Sequence, residues 1–170
     1  MKKRMKPSCT RRGYTLIEVL IVVSIIAIAG AVVVPAMMDA GTMGVQAAVR
    51  IVISDLLFAQ NDGIAKQKKR VLKFDTFKDT YEVLGDDGKR LTAKWKNGAQ
   101  ENYIVNFKKD SRFEGVDLMR VDFNGERKVE FDELGCPSEG GVIELGYNGE
   151  VYQIQVAAFT GKVSIVKLGK

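Results

Sequence analysis

Residues 19–38 (VLIVVSIIAIAGAVVVPAMM) carry no charge, and Ser24 is their only conventionally polar side chain. As a helix rising ~1.5 Å per residue, such a run covers about 30 Å, the hydrocarbon thickness of a bilayer. No other feature constrains the fold so strongly. Just upstream, residues 1–13 hold Lys2, Lys3, Arg4, Lys6, Arg11 and Arg12 and no acid. Cations on that flank predict a cytoplasmic N-terminus, with everything after Met38 on the far side of the membrane. Two other readings compete. One is a buried helix of a soluble domain. The other is a removable secretory signal, whose apolar region runs only ~7–15 residues and ends in an A-x-A-like site. Ala27-Ile28-Ala29-Gly30 is the nearest approach to such a site.

The charge balance sharpens this picture. The chain of 170 residues has 26 Lys and Arg against 21 Asp and Glu, a formal +5. Six of those cations lie in residues 1–13, so the remainder holds 20 bases and 21 acids. The basic character belongs to the leader and gives the rest no general affinity for nucleic acid. With no histidine in the sequence, Ser-His-Asp, Cys-His and His-ligated zinc chemistry are excluded. Two cysteines cannot build a disulfide scaffold or a four-thiolate zinc site. Asp86-Asp87 and Asp132-Glu133 lack the D-x-D-x-D-G spacing of a calcium loop and read as turn and surface acids. Cys136, within Leu134-Gly135-Cys136-Pro137, reads as a small half-buried loop thiol with no histidine to activate it. Trp95 and Phe107 read as anchors of a sheet core. No catalytic constellation, metal set or cofactor motif is visible.

The junction of leader and apolar run reads Arg11-Arg12-Gly13-Tyr14-Thr15-Leu16-Ile17-Glu18-Val19. A lone carboxylate stands at the head of an apolar helix. Placed at mid-bilayer it would cost about 2.5–3.5 kcal/mol, less near the interface, and it calls for a partner. The stretch closely resembles the prepilin N-terminus of type IV pilins and type II secretion pseudopilins. In those proteins a basic leader ends in glycine, and F-T-L-I-E opens an apolar helix. The resemblance implies cleavage after Gly13 by a prepilin peptidase and methylation of the new Tyr14 amine. It implies assembly roles for Thr15, Glu18 and Pro35. Glu18 would pair with the N-terminal amine of a neighbouring subunit, which removes the penalty of leaving either charge alone in an apolar bundle. Tyr14 departs from the usual phenylalanine. Gly30 and Pro35 read equally as an ordinary kink of a membrane helix or as a segment that loosens on filament packing.

Past a soft point at residues 41–44 the helix is expected to continue to Lys66. Val45, Ala48, Val49, Val52, Leu56, Ala59 and Gly63 recur every three or four residues on one face. Gln46, Arg50, Asp55, Gln60 and Asp62 are expected mostly elsewhere. Unbroken from Tyr14 to Lys66, this helix would run roughly 80 Å. Lys66-Gln67-Lys68-Lys69-Arg70 reads as a solvated helix end, with a nucleic-acid patch as the sharper alternative. The period then changes to two. Strands are expected at 71–75, 80–84, 91–95, around 103–107, and at 116–123, 128–131, 142–145, 151–159 and 162–168. Gly85-Asp86-Asp87-Gly88 reads as a turn, and Thr160-Gly161 as a tight hairpin. The expected fold class is α+β, with one antiparallel sheet packed on the amphipathic half of a long N-terminal helix. The expected division is leader 1–13, transmembrane helix 14–38, amphipathic helix 39–70 and β domain 71–170.

Residues 47–66 (AAVRIVISDLLFAQNDGIAK) and the closing hairpin of 154–166 resemble H-type minor pseudopilins and T-type minor pilins. The resemblance implies a non-enzymatic subunit anchored in the inner membrane, with its C-terminal domain outside the cytoplasm. Its partners would be other pilin or pseudopilin subunits, the prepilin peptidase and the inner-membrane assembly platform. A DNA-binding minor pilin is the first alternative. It would use Lys162, Lys167 and Lys170, which make only a thin positive patch. A signal-anchored envelope enzyme is a more remote one.

Overall fold

The apolar run folds as a single helix, α1, spanning Leu16–Met38. In the computed structural model, residues 14–38, 40–93 and 101–169 are described. The chain divides into two compact units, one ending at Asp39 and the other beginning at Ala40. From Leu16 to Ala29 every side chain of α1 is exposed within its unit. Past the first turn its one conventionally polar side chain is satisfied, because Ser24 Oγ donates to the Leu20 carbonyl at 2.8 Å. A helix with no charge after its first turn and no unmet polar side chain from Val19 to Ala29 suits an apolar environment.

The second unit opens with α2, Ala40–Lys66. Its whole predicted stripe, from Val45 through Ala59 to Gly63, is buried. By length and composition α2 could also cross a membrane. Its apolar stripe, however, is covered by strands of its own unit. The soft point expected at 41–44 is helical instead. Gly44 is buried there, close to the Arg112 and Glu114 carbonyls, so the turn is held by packing. The helix ends with Gln67 in the left-handed region (φ 51°). Lys68 N donates to Gly63 O at 3.1 Å across that end, satisfying a terminal carbonyl as in a Schellman cap.

Ten strands follow among the described residues, named in chain order. They are β1 (Arg70–Asp75), β2 (Thr80–Leu84), β3 (Thr92–Ala93), β4 (Glu101–Asn102), β5 (Ile104–Asn106), β6 (Asp117–Asp122), β7 (Lys128–Phe131), β8 (Gly141–Tyr147), β9 (Glu150–Val156) and β10 (Val163–Gly169). A short 3-10 turn at Ser111–Phe113 precedes β6. One sheet was expected, but the strands form two four-stranded antiparallel sheets, ordered β5-β2-β1-β7 and β10-β9-β8-β6, plus the small pair β3-β4. The chain crosses between the large sheets at Asn124-Gly125, both with positive φ. Phe123 and Glu126 exchange two backbone hydrogen bonds around that turn. A second Asn-Gly turn, Asn148-Gly149, joins β8 to β9. Paired positive φ values give the turn geometry that suits two-residue hairpins.

Both sheets lay their apolar faces on α2, which packs against β1, β7, β8 and β9. Leu72, Phe74, Tyr81, Val83, Val129 and Phe131 come from the first sheet, and Leu118, Val121, Ile143, Leu145, Ile154 and Val156 from the second. Each fully buried side chain of this size contributes about 1.5–3 kcal/mol. Tyr103, Val105 and Phe107 are buried and alternate with more open neighbours, as the period of two predicts. Of the strand expected at 91–95, Thr92–Ala93 is present as β3, and residues 94–95, Trp95 among them, lie outside the described residues.

Two charged residues lie where the sequence pattern did not put them. Asp55 belongs to the buried face of α2, where it accepts hydrogen bonds from Tyr81 Oη and Tyr103 Oη, each at 2.5 Å. Arg70 is buried too, bound to Asp62 at 2.6 Å and to the Lys69 carbonyl at 2.7 Å. The neighbouring cations fit the solvated reading. Lys66 pairs with Asp62, Lys68 with Asp86 and Lys69 with Glu130.

Candidate assembly site

The head of α1 is built by local chemistry. Thr15 precedes the first helical residue, and its Oγ1 accepts a hydrogen bond from Glu18 N at 3.3 Å. Its carbonyl accepts from Val19 N at 3.2 Å, the first turn of the helix. Thr15 is therefore the N-cap, and Thr15-Leu16-Ile17-Glu18 is a capping-box sequence. Sequence reading assigned Thr15 only an assembly role. The T-x-x-E spacing was the signal for this second one. Glu18 lies in the first turn, where the positive end of the helix dipole favours a carboxylate. Among the described residues its carboxylate makes no hydrogen bond or ion pair, and it is exposed. Tyr14, Leu16 and Ile17 around it are exposed as well, the first two by more than four-fifths. The arrangement offers one fixed negative charge on an apolar surface, poised to accept a cation. It holds no nucleophile and no acid–base pair.

Gly13 and the leader lie outside the described residues. Pro35 is helical within α1.

The remaining candidate groups have ordinary partners. Asp87 Oδ1 accepts from Lys89 N, and Asp132 Oδ1 accepts from the Leu134 and Cys136 amides, so these acids close their own turns. Among the described residues no cluster of three or more Cys, Asp or Glu could hold a metal ion. Cys136 is half-buried in the loop after Asp132. Of the lysines proposed for nucleic acid, only Lys162 and Lys167 are among the described residues. Lys167 Nζ lies 3.0 Å from Glu150 Oε1 and 5.5 Å from the centre of the Tyr152 ring. Lys162 is exposed, and Lys170 lies outside the described residues.

Comparison with known proteins gives two independent matches. Residues 9–34 match the family described as the prokaryotic N-terminal methylation motif. Two solved structures of the minor pseudopilin EpsH from the type 2 secretion system of Vibrio cholerae share the fold. The first is 14% identical with a TM-score of 0.51, covering 72% of this chain and 95% of that one. The second is 13% identical with a TM-score of 0.53, covering 75% and 96%. No curated protein matches the chain in sequence. The chain thus joins a prokaryotic N-terminal methylation motif to a pseudopilin-like α+β fold.

Proposed function

We propose that this chain is a minor pseudopilin-type subunit that works by assembly and has no enzymatic activity. A prepilin peptidase cuts after Gly13 and methylates Tyr14. The observation that carries the reading is the exposed, uncompensated Glu18 carboxylate, capped into the first turn of an apolar helix within the matched methylation motif. A new ammonium at Tyr14 of an adjacent subunit is its natural counter-ion. Opposite charges brought together in an apolar bundle relieve the desolvation each would suffer alone. The apolar helices then form the filament core on the inner-membrane assembly platform, and α2 with its sheets stays outside the cytoplasm. Likeness to EpsH favours a type II secretion role over a pilus, and the engaged Lys167 gives DNA binding no support.

N-terminal sequencing of the membrane-bound protein tests the processing step. The expected N-terminus is a methylated Tyr14; a chain starting at Met1 or beyond Ala31 overturns the reading. Glu18→Ala is expected to insert into the membrane normally but to lose filament incorporation by tenfold or more, the order of an uncompensated buried charge. Normal assembly of that variant would remove the pairing role from Glu18.

A further inference from the structure

Strand β10 ends one of the two large sheets, and among the described residues it pairs only with β9. An edge strand offers a row of unpaired N–H and C=O groups, and proteins usually blunt such edges with charge, proline, a bulge or cover. β10 carries a charge and a bulge at its far end, Lys167–Gly169, but none of these protections along Val163–Val166. Its side chains are open on both faces. Ile165 pairs with Ile154, so it lies on the core face, yet it is 52% exposed while Ile154 is fully buried. Val166, opposite Gln153 on the other face, is 39% exposed, and Leu168, at the register shift between Lys167 and Gly169, is 51% exposed. The strand's one charge, Lys167, is neutralised by Glu150.

The loop leading into β10 points the same way. The sequence suggested a tight Thr160-Gly161 turn, but six residues, 157–162, separate β9 from β10. Within that loop Phe159 has φ 67° and is 84% exposed. A bulky residue in the left-handed region is an outlier that persists only where its surroundings impose it. Here they do. Gly161 N donates to Ala157 O at 3.0 Å, and Gln60 Nε2 on α2 donates to Thr160 O at 3.2 Å. The loop is fastened to the helix while its aromatic ring is held out to solvent.

We propose that β10 and Phe159 form a docking edge for an extended, uncharged, apolar segment of another protein chain. That segment would add as a fifth strand beside β10, with Phe159 as its side-chain anchor. Only an extended backbone can satisfy the free edge groups. Lipid offers them no hydrogen-bond partner, and nucleic acid would need cations that Lys167 cannot supply. A second copy fits poorly. Two β10 strands paired antiparallel about Val166 would set each Lys167 opposite the other's Ile165. The inference does not require α1 to enter a filament.

The test uses the full chain in lipid nanodiscs and a synthetic peptide VYQIQV with blocked termini, the uncharged part of the strand that β10 already pairs with on its other side. Amide hydrogen exchange is followed across residues 157–169. At ten times its dissociation constant the peptide should slow the free alternate amides of β10 by about tenfold. Val166→Lys should abolish the effect. Phe159→Ala should weaken peptide affinity by roughly tenfold or more. Both positions are exposed, so an unchanged unfolding midpoint will show that each variant is folded. No slowing, or slowing that Val166→Lys leaves intact, overturns the proposal. Slowing without peptide that rises with protein concentration, with a dimer in sedimentation, would assign the edge to a second copy and overturn it also. So would slowing by added anionic vesicles or a DNA oligonucleotide instead of peptide.

Discussion

Asp55 sits 5% exposed among apolar side chains, and two tyrosine hydroxyls point at its carboxylate. Tyr81 belongs to β2 and Tyr103 precedes β5, so one residue of α2 fixes the helix to two segments of the first sheet. Hydrogen bonds to a buried charged acceptor are worth more than neutral ones, about 1.5–3 kcal/mol each. Asp55→Ala strands both buried hydroxyls and should destabilise the folded unit by about 3–5 kcal/mol in urea unfolding. Tyr81→Phe should cost about 2 kcal/mol by the same measurement. Burial first, and then the negative Asp55, push both tyrosines well above the ordinary value of 10.0. A folded-state pKa raised in this way contributes stability that is complete below pH 10 and is lost as pH climbs toward the folded value. Absorbance at 295 nm should therefore show Tyr81 and Tyr103 silent until the chain unfolds in alkali. Early titration of all five tyrosines would contradict the buried network.

At the scale of elements, the start of α1 is a local decision. Thr15→Ala should weaken the first turn by about 1 kcal/mol, read as faster amide exchange at Leu16–Val19 in micelles, and Thr15→Ser should restore it. The stripe of α2 was equally plain in the sequence, since spacings of three and four encode one helical face regardless of what covers it. The two Asn-Gly turns were legible too, because that dipeptide takes positive φ at both positions. Reading for strand periodicity alone passed over them. The tight hairpin at Thr160-Gly161 was not legible, because the loop's length is set by how Gln60 holds Thr160, a contact made far along the chain.

The molecule as a whole separates charge from apolarity. Its leader takes the excess cations, and the second unit neutralises most of its own charges in pairs. Burial alone would raise Asp62, but hydrogen bonds from Lys66 and Arg70 hold it below its ordinary 3.8. The Lys128 hydrogen bond holds Glu130 below 4.5. Lowered carboxylates give stability that is present above their unfolded values and lost as pH falls through the folded ones. The thermal midpoint should hold from neutral pH down to about 4.5, then fall steadily below it. Arg70→Lys should steepen that fall, because an ammonium cannot reproduce the guanidinium's bonds to Asp62 and the Lys69 carbonyl together. Sequence by itself determined the apolar helix, its leader, the capped Glu18 and the burial stripe, because each is a periodic or nearest-neighbour property. Only the tertiary structure decided that the strands form two sheets, that Asp55 and Arg70 turn inward and that β10 is left open. Those outcomes depend on which distant groups meet, and a hydroxyl or carboxylate brought close by folding can reverse the burial that a residue's own chemistry predicts.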